Sequence, residues 1–427
     1  MAESERNDPS PAGPQEAAND TPAGINVAWT ALIALGTGII YYFSNPKPAQ
    51  FYDYTFRVAA NFLNGSIGFT EKPPDWLNEF VPFEGFFYSV FPLGSVLTMV
   101  PFALLKLAGI VDQMPSALIA ALCAAVSALF LTLIANHYEA SITRTILMTA
   151  GILFGTWTWT NLTFGGAWQL ALGFAMVGEL GAIYFTVVDR RPLLAGAFFA
   201  LGFGNRTEVL LTAPFLMYLT LRPQNANDGP FSFSGLLSPN KLKKLAAFCT
   251  VPFVLGISTL FYNYVRFNSF TDFGYARIPG VLNEPWYNHG IFSPYYIPRQ
   301  IWEMLFKLWD IRDHFPLPVP NGFSSSILIS SPFLILAFRP GARDRVLKYA
   351  AWAGVLVLCI VLWMHGNSGG WQFGYRYAIV CLPWLFLIML ESSPKKISPP
   401  EWVLYCFSFI ANAYATWLFH WTENIKP

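Results

Sequence analysis

Residues 192–221 read PLLAGAFFALGFGNRTEVLLTAPFLMYLTL and decide how this chain is arranged. The stretch is apolar except at its centre, where residues 205–208 read NRTE. A charged side chain near the middle of a bilayer costs about 2.5–3.5 kcal/mol or more, so such a group is paired or faces a hydrated cavity. Two undersized helices that meet at a charge are a recurring way to build a site at membrane depth. The alternative is a structural pair between Arg206 and Glu208, and the pattern favours the functional interpretation.

The composition of the whole chain indicates a membrane protein. Of its 427 residues, 54% are hydrophobic and 12% are charged, whereas a soluble domain carries roughly a quarter charged residues. This excludes a soluble enzyme and a disordered protein. The net charge is +1, so no global field would recruit a nucleic acid. The five cysteines fall inside apolar runs and are expected to be core side chains rather than disulfides or metal ligands.

The basic residues predict how the spans are arranged. Lys and Arg cluster in four short segments: 189–191, 222–244, 339–348 and 395–396. Short basic loops stay cytoplasmic. All four segments can lie on one side of the membrane only if 192–221 crosses it twice. Each leg would then have about 13 residues, whereas a full span needs roughly 20. For the same reason 90–109 should not cross. We therefore expect an all-α polytopic protein with about 11 transmembrane helices, its N-terminus in the cytoplasm and its C-terminus outside.

The polar ends and loops define the expected domain organisation. Residues 1–24 are polar and rich in Pro and Ala, which predicts a disordered cytoplasmic tail. Residues 25–427 should form a single transmembrane domain. Its long outer loops should cover about 44–113 and 266–321. Because no basic stretch precedes the first apolar run, that run should be a retained anchor and not a cleaved signal.

Two acids in the first outer loop are candidate catalytic groups. Asp53 lies close to the predicted end of the first span, four residues before Arg57. On a helix these two residues share a face, and an exposed ion pair is the alternative interpretation. Glu84 stands among aromatic residues, where loss of water would raise its pKa and make it a usable base. The alternative for Glu84 is an anchor at the membrane interface.

Several arginines are candidate ligands for an anion. Arg376 lies between Tyr375 and Tyr377 after a run of glycines, which suits contact with a phosphate or a sugar. Arg266 ends the span before the long outer loop. Both arginines would lie on the outer side of the membrane, although basic residues prefer the cytoplasmic side. A bound anion would explain that placement. Anchoring of the side chains at the membrane interface is the alternative. Glu179, inside a span, is expected to be structural.

The motifs that define several other classes are missing from the chain. It has no glycine-rich nucleotide loop, no H-E-x-x-H and no Cys/His cluster, and its five histidines are scattered. An ATP-driven pump and a soluble type of sugar-nucleotide enzyme are therefore not expected. We also expect no nucleic-acid partner.

Taken in order, these segments resemble one known group. They are Asp53, the stretch FYSVFPLG (87–94), the apolar run 195–206 that ends in Arg206, FYNYVRF (261–267), and GYRY (374–377) before a Pro-containing span. The chain resembles the polyprenyl-phosphate-sugar glycosyltransferases of the GT-C fold. These are the dolichyl-phosphate-mannose protein mannosyltransferases and the bacterial aminoarabinose and arabinosyl transferases. FYSVFPLG and FYNYVRF look most like uncharacterised bacterial members, and the resemblance covers most of 26–390.

The resemblance implies a fold and a set of roles. The fold would be a helical bundle with two juxtamembrane helices in the first outer loop. By motif position Asp53 would be the catalytic acid, with Glu84 second, and Arg206 would hold the donor phosphate. The other expected donor or substrate ligands are Arg57, Arg266, Tyr375 and Arg376. Family members often carry a second acid after the first and another in the second outer loop. Neither of these two acids is present in this chain. We therefore expect a mechanism without a cofactor or a metal ion, and a divalent metal is the alternative that stays open.

The expected activity is inverting transfer of a single sugar from a polyprenyl-phosphate donor. A phosphate leaving group does not need the proton that a glycosidase supplies, so one carboxylate and several cations suffice. The acceptor would be a glycan, a lipid or a protein at the non-cytoplasmic face, in a bacterial plasma membrane or else the endoplasmic reticulum. A transporter or flippase of lipid-linked sugars is the alternative. A membrane scaffold has little need of these outward arginines.

Overall fold

The structure is a computed structural model that describes residues 26–47, 51–222, 238–394 and 396–425. The expected disordered tail, 1–24, lies outside these residues. The described chain is mostly helical, which confirms the predicted helical class. Its helices are α1 (Val27–Phe43), α2 (Tyr54–Leu63), α3 (Leu93–Leu97), α4 (Val100–Leu107), α5 (Ser116–His137), α6 (Ile142–Phe154), α7 (Thr158–Phe164), α8 (Ala167–Ile183), α9 (Pro192–Asn205), α10 (Ala213–Leu221), α11 (Pro239–Phe267), α12 (Ile297–Leu305), α13 (Ile327–Ser330), α14 (Arg345–Met364), α15 (Leu382–Glu391) and α16 (Pro399–Trp421).

Short strands and tight helices complete the secondary structure. Strand β1 (Phe80–Phe83) pairs antiparallel with β2 (Phe86–Ser89), and β3 (Asp310–Ile311) pairs antiparallel with β4 (Pro318–Val319). The longer 3₁₀ segments are Thr207–Thr212, Pro332–Phe338 and Arg376–Cys381, and a π-helix, Tyr184–Val188, extends α8.

Five helical segments in the described ranges are long and apolar enough to cross a membrane: α5, α8 with its π-helical end, α11, α14 and α16. Side chains such as Phe253, Ile257 and Phe261 on α11 are exposed. An apolar outer surface of this kind is expected of a bundle that lies in lipid. Cys123, Cys359 and Cys381 are buried as predicted, whereas Cys406 is exposed on α16.

Segment 192–221 runs out along the bundle and comes back. It consists of α9, the 3₁₀ turn Thr207–Thr212 and α10. At its two ends Arg190 Nη1 donates a hydrogen bond to the Arg222 carbonyl oxygen at 2.8 Å. Arg206 lies at the far end of α9, which is about 21 Å long at 1.5 Å per residue. The expected pair of short legs with a charged tip is therefore present.

Several of the basic segments meet at one end of the bundle, which we call the basic end. Arg222 pairs with Asp344, and Arg343 donates to the Tyr138 carbonyl. At the same end Glu401 binds two arginines from different elements, Arg144 at 2.9 Å and Arg339 at 2.8 Å. The shared location of these segments is what the arrangement of basic loops predicted.

The stretch 90–109 forms two short helices, α3 and α4, rather than a spanning helix. At eight residues, α4 is about 12 Å long and far short of a bilayer core of about 30 Å. Helix α3 packs against the end of α9, where Gly94 touches Gly204. A Cβ at Gly94 would come within 2.4 Å of the Gly204 Cα. This contact fixes α3, in the segment between α1 and α5, against the tip that bears Arg206.

We predict that Gly94→Ala destabilises the protein by about 1–3 kcal/mol, because the added methyl group overpacks the α3–α9 contact. Gly36→Ala is the matched control, since a Cβ at Gly36 meets nothing within 4 Å and helix propensity favours Ala. Thermal unfolding in detergent should show a lowered midpoint for Gly94→Ala and an unchanged or raised one for Gly36→Ala. Equal midpoints would contradict the described contact.

Candidate functional site: Glu79 and two guanidinium groups around a cavity

A cavity of about 840 Å³ opens at the end of the bundle opposite the basic end. It lies between the tip of 192–221, the first outer loop, the start of α8 and the segment after α14. The residues that matter for its chemistry are Tyr52, Glu79, Trp168, Arg206, Arg376 and Tyr377. Chain segments far apart in sequence therefore contribute to one polar chamber.

Arg206 is held at the tip by an ion pair and by an aromatic ring. Its Nη2 lies 2.8 Å from Glu208 Oε1, and its Nε donates to the same oxygen at 2.9 Å. The guanidinium carbon lies 4.7 Å from the centre of the Tyr377 ring. Both charged groups line the cavity. The tip therefore has the Arg206–Glu208 pair of the alternative interpretation, and that pair faces a chamber.

Arg376 is nearly buried and has no carboxylate partner in the described part of the chain. The residue is 7% exposed, and its Nε lacks a hydrogen-bond partner. Its guanidinium lies 5.2 Å from the Tyr377 ring centre and 5.9 Å from that of Trp168. Gly369 precedes it at φ 132°, a conformation that favours glycine. A buried cation that no carboxylate contacts directly is a favourable site for an anion.

Glu79 is one of four acids that line the cavity, with Asp75, Glu208 and Glu284. It precedes β1, and the Trp168 indole N–H donates to both of its oxygens, at 2.8 and 2.9 Å. Burial raises the pKa of Glu79 to about 7, against the lowering effects of the Trp168 hydrogen bond and of the Arg376 and Arg206 charges. A carboxyl group with such a pKa can exchange a proton at neutral pH.

His365 also lines the cavity and contributes little positive charge. Its Nδ1 donates to the Asn367 carbonyl oxygen at 2.7 Å. Burial lowers the pKa of His365, and the nearby Arg206 and Arg376 charges lower it further. The imidazole is therefore neutral at pH 7, and the two arginines supply the positive charge.

The two acids predicted from sequence do not line the cavity. Asp53 binds Arg57 Nε at 2.6 Å at the start of α2. Burial raises the pKa of Asp53, and Arg57 and Lys106 lower it. Glu84 lies in the β1–β2 turn with φ 46°, is exposed, and accepts a 2.9 Å hydrogen bond from Asn268. Asp53 and Arg57 thus form an ion pair, but the Asp53 carboxyl group is buried and not exposed as in the alternative interpretation.

Arg266 and Tyr375 are packed into the protein interior. Arg266 is 1% exposed, stacks on Tyr262 at 3.8 Å and donates to the Ser89 carbonyl oxygen, which ties α11 to the end of β2. The Tyr375 hydroxyl donates to Gln300 Oε1 at 2.9 Å. Neither lines the cavity, so Arg206 and Arg376 are the predicted ligands that the structure brings together.

Glu79 was missed by sequence reasoning, and its sequence context explains why. It stands in WLNEF (76–80), a lone acid beside aromatic residues, which is the same signal that pointed to Glu84 five positions later. Its partner Trp168 is 89 residues away. The tertiary contact that selects Glu79 leaves no local pattern.

No group of three or more His, Cys, Asp or Glu side chains that could hold a metal ion occurs among the described residues. Comparisons with family models, with curated proteins and with solved structures find no match. The arrangement itself can bind an anion at the guanidinium groups and take up a proton at Glu79.

We predict that Trp168→Phe raises the pKa of Glu79 above about 7, because it removes hydrogen bonds that favour the ionised carboxylate. Infrared difference spectra of the wild type against Glu79→Gln should isolate the protonated-carboxyl band and its titration midpoint. Trp302→Phe on α12, an exposed tryptophan outside the cavity, should leave that midpoint unchanged. A Glu79 carboxyl group that titrates near its ordinary value would contradict the described burial.

Proposed function

We propose that the protein is an inverting glycosyltransferase that moves a single sugar from a polyprenyl-phosphate donor to an acceptor hydroxyl. The observation that best supports this is the shared cavity of Glu79, Arg206 and Arg376. A base and a pair of phosphate ligands in one chamber are the minimum set for displacement at a sugar phosphodiester. The resemblance to the GT-C enzymes adds to this support.

We further propose that the chain spans the membrane about eleven times, with the basic end cytoplasmic. The rule that short basic loops stay in the cytoplasm supports this orientation. The cavity would then open on the non-cytoplasmic face of a bacterial plasma membrane. In that position a lipid-linked donor enters from the bilayer while the acceptor approaches from outside.

In this proposal Arg376 is the main ligand of the donor phosphate. Its guanidinium is nearly buried and makes no ion pair within the described residues, so an entering phosphate oxygen would meet a cation that no carboxylate contacts directly. Arg206 is already paired with Glu208, and its role is to add positive charge at the tip. Charge-assisted bonds of this kind strengthen when water is excluded.

The proposed reaction is one displacement. The acceptor oxygen forms a bond to the anomeric carbon of the sugar as the bond from that carbon to the phosphate oxygen breaks. The bonding electron pair leaves with the polyprenyl phosphate, whose new charge Arg376 and Arg206 stabilise. Glu79 takes the proton of the acceptor hydroxyl. A single displacement inverts the configuration of the sugar.

A transporter or flippase of the same lipid-linked sugar remains the alternative class. The two differ in whether the donor is consumed. Purified protein in vesicles with a polyprenyl-phosphate sugar should release polyprenyl phosphate in the presence of an acceptor. Movement of an intact donor across the bilayer without such release would favour the transporter.

We predict that Glu79→Gln lowers sugar transfer by at least about 100-fold, the lower part of the range for loss of a general base. Asp53→Asn and Glu84→Gln should keep most of the activity, because neither acid lines the cavity. Donor turnover in vesicles with equal amounts of inserted protein measures all three. An inactive Asp53→Asn beside an active Glu79→Gln would return the role of base to Asp53.

We predict that Arg376→Gln weakens donor binding and turnover by about 10- to 100-fold, as expected for one lost charge-assisted contact with phosphate. Arg376→Lys should recover part of the loss, because it keeps the charge without the planar fork. Arg312→Gln is the control, since Arg312 bonds the Asn424 carbonyl outside the cavity. Equal turnover by the Arg376→Gln and Arg312→Gln proteins would remove Arg376 from the site.

A further inference from the structure

A second cavity, of about 500 Å³, lies at the basic end. It is formed where α5, the π-helical end of α8, α10, α14 and α15 come together. Among the residues that line it are Thr186 and three arginines, Arg190, Arg222 and Arg343. This chamber lies at the other end of α9 from Arg206 and has no part in the proposed transfer reaction.

An unusual backbone brings Arg190 to this cavity. Helix α8 ends in the π-helix Tyr184–Val188, and Arg190 follows with φ 40°. Wide turns of this type occur often at functional sites. A residue other than glycine in a left-handed conformation costs of order 1–3 kcal/mol, so the surrounding structure must hold it. Here the Arg190 guanidinium bonds the Arg222 carbonyl at 2.8 Å.

Two of the three arginines have no carboxylate partner in the ranges that the structure covers. Arg222 pairs with Asp344, whereas the guanidinium groups of Arg190 and Arg343 donate to the carbonyl oxygens of Arg222 and Tyr138. Burial lowers the pKa of Arg190 and the positive charge of Arg222 lowers it further, against the raising effect of the Asp344 charge. The cations are therefore crowded, and a bound anion would relieve their repulsion.

The two carboxyl groups of the chamber, Asp344 and Glu391, stand against three guanidinium groups, so they offset the positive charge only in part. Both oxygens of Glu391 are engaged at 2.6 Å, one by the Tyr138 hydroxyl and the other by the Asp344 backbone N–H. Thr186 is one of the residues at the cavity wall and is 2% exposed, and its buried hydroxyl has no hydrogen-bond partner. A buried hydroxyl without a partner is costly, and an oxyanion in the chamber would satisfy it.

We propose that this cavity binds a phosphate group through Arg190, Arg343 and Thr186. A phosphate offers several acceptor oxygens to the planar forks of two arginines and to a hydroxyl donor. The cavity lies at the ends of apolar helices, which is where the headgroups of anionic lipids reside in a bilayer. Bound there, the phosphate would link the end of α8 to α14. The chemistry is shared by a lipid headgroup and a free phosphate.

The test uses the full-length protein in two separate arms. The first arm titrates inorganic phosphate into detergent-purified protein by calorimetry. The second reconstitutes the protein into nanodiscs of phosphatidylcholine with phosphatidylglycerol and measures, by native mass spectrometry, which lipid stays bound. We expect Arg190→Gln to weaken binding by at least about tenfold, as for one charge-assisted bond. Arg345→Gln, an exposed arginine that does not line the cavity, should bind as the wild type does.

Binding seen with phosphatidylglycerol but not with inorganic phosphate identifies a lipid headgroup as the source, and the reverse identifies a free phosphate. If Arg190→Gln does not fold, Arg343→Gln and Thr186→Val make the same test. The proposal is overturned if the pocket variants and Arg345→Gln bind both probes equally, or if the wild type binds neither. Donor turnover does not enter this test, so it stands apart from the proposed transfer activity.

Discussion

The ion pair between Arg206 and Glu208 lies where two apolar legs meet, and charges in that place must be kept out of lipid. Close packing around α9 achieves this. A Cβ at Gly178 would come within 2.3 Å of the Gly202 nitrogen, and one at Gly196 within 1.9 Å of the Phe248 carbonyl oxygen. Because α9 is wedged between α8 and α11 in this way, its charged tip can face only the chamber. The rest of the site is assembled around that tip.

Two features of the chamber have one physical cause. Exclusion of water leaves the Arg376 guanidinium without a full set of partners, and it raises the pKa of Glu79 to about 7. In bulk water neither effect would be present. An entering phosphate would compensate the cation, while a carboxyl group poised near neutral pH would accept a proton. The same desolvation therefore prepares both halves of the proposed reaction.

Hydropathy and charge patterns predicted the helical class, the two legs of 192–221, the short helices of 90–109 and the meeting of basic segments at one end. They could do so because a bilayer limits the length of its helices and the position of their charges, and both limits are visible in the sequence. Of the anion ligands that the sequence and the resemblance suggested, the structure brings Arg206 and Arg376 to one cavity. The sequence patterns could not distinguish Arg376 from Arg266, because both arginines lie at the end of a predicted span beside tyrosines. Only the packing of the folded chain shows which of the two faces the cavity and which is buried. The base candidate in the chamber, Glu79, depends on its distant contact with Trp168, which no local pattern encodes.

A structure determined experimentally with polyprenyl phosphate bound tests the central claim most directly. The account predicts that the phosphate lies in the chamber against Arg376, close to Arg206, with the Glu79 carboxyl group facing the open side of the phosphate. A phosphate bound instead beside the Asp53–Arg57 pair, with the chamber empty of donor, would contradict it.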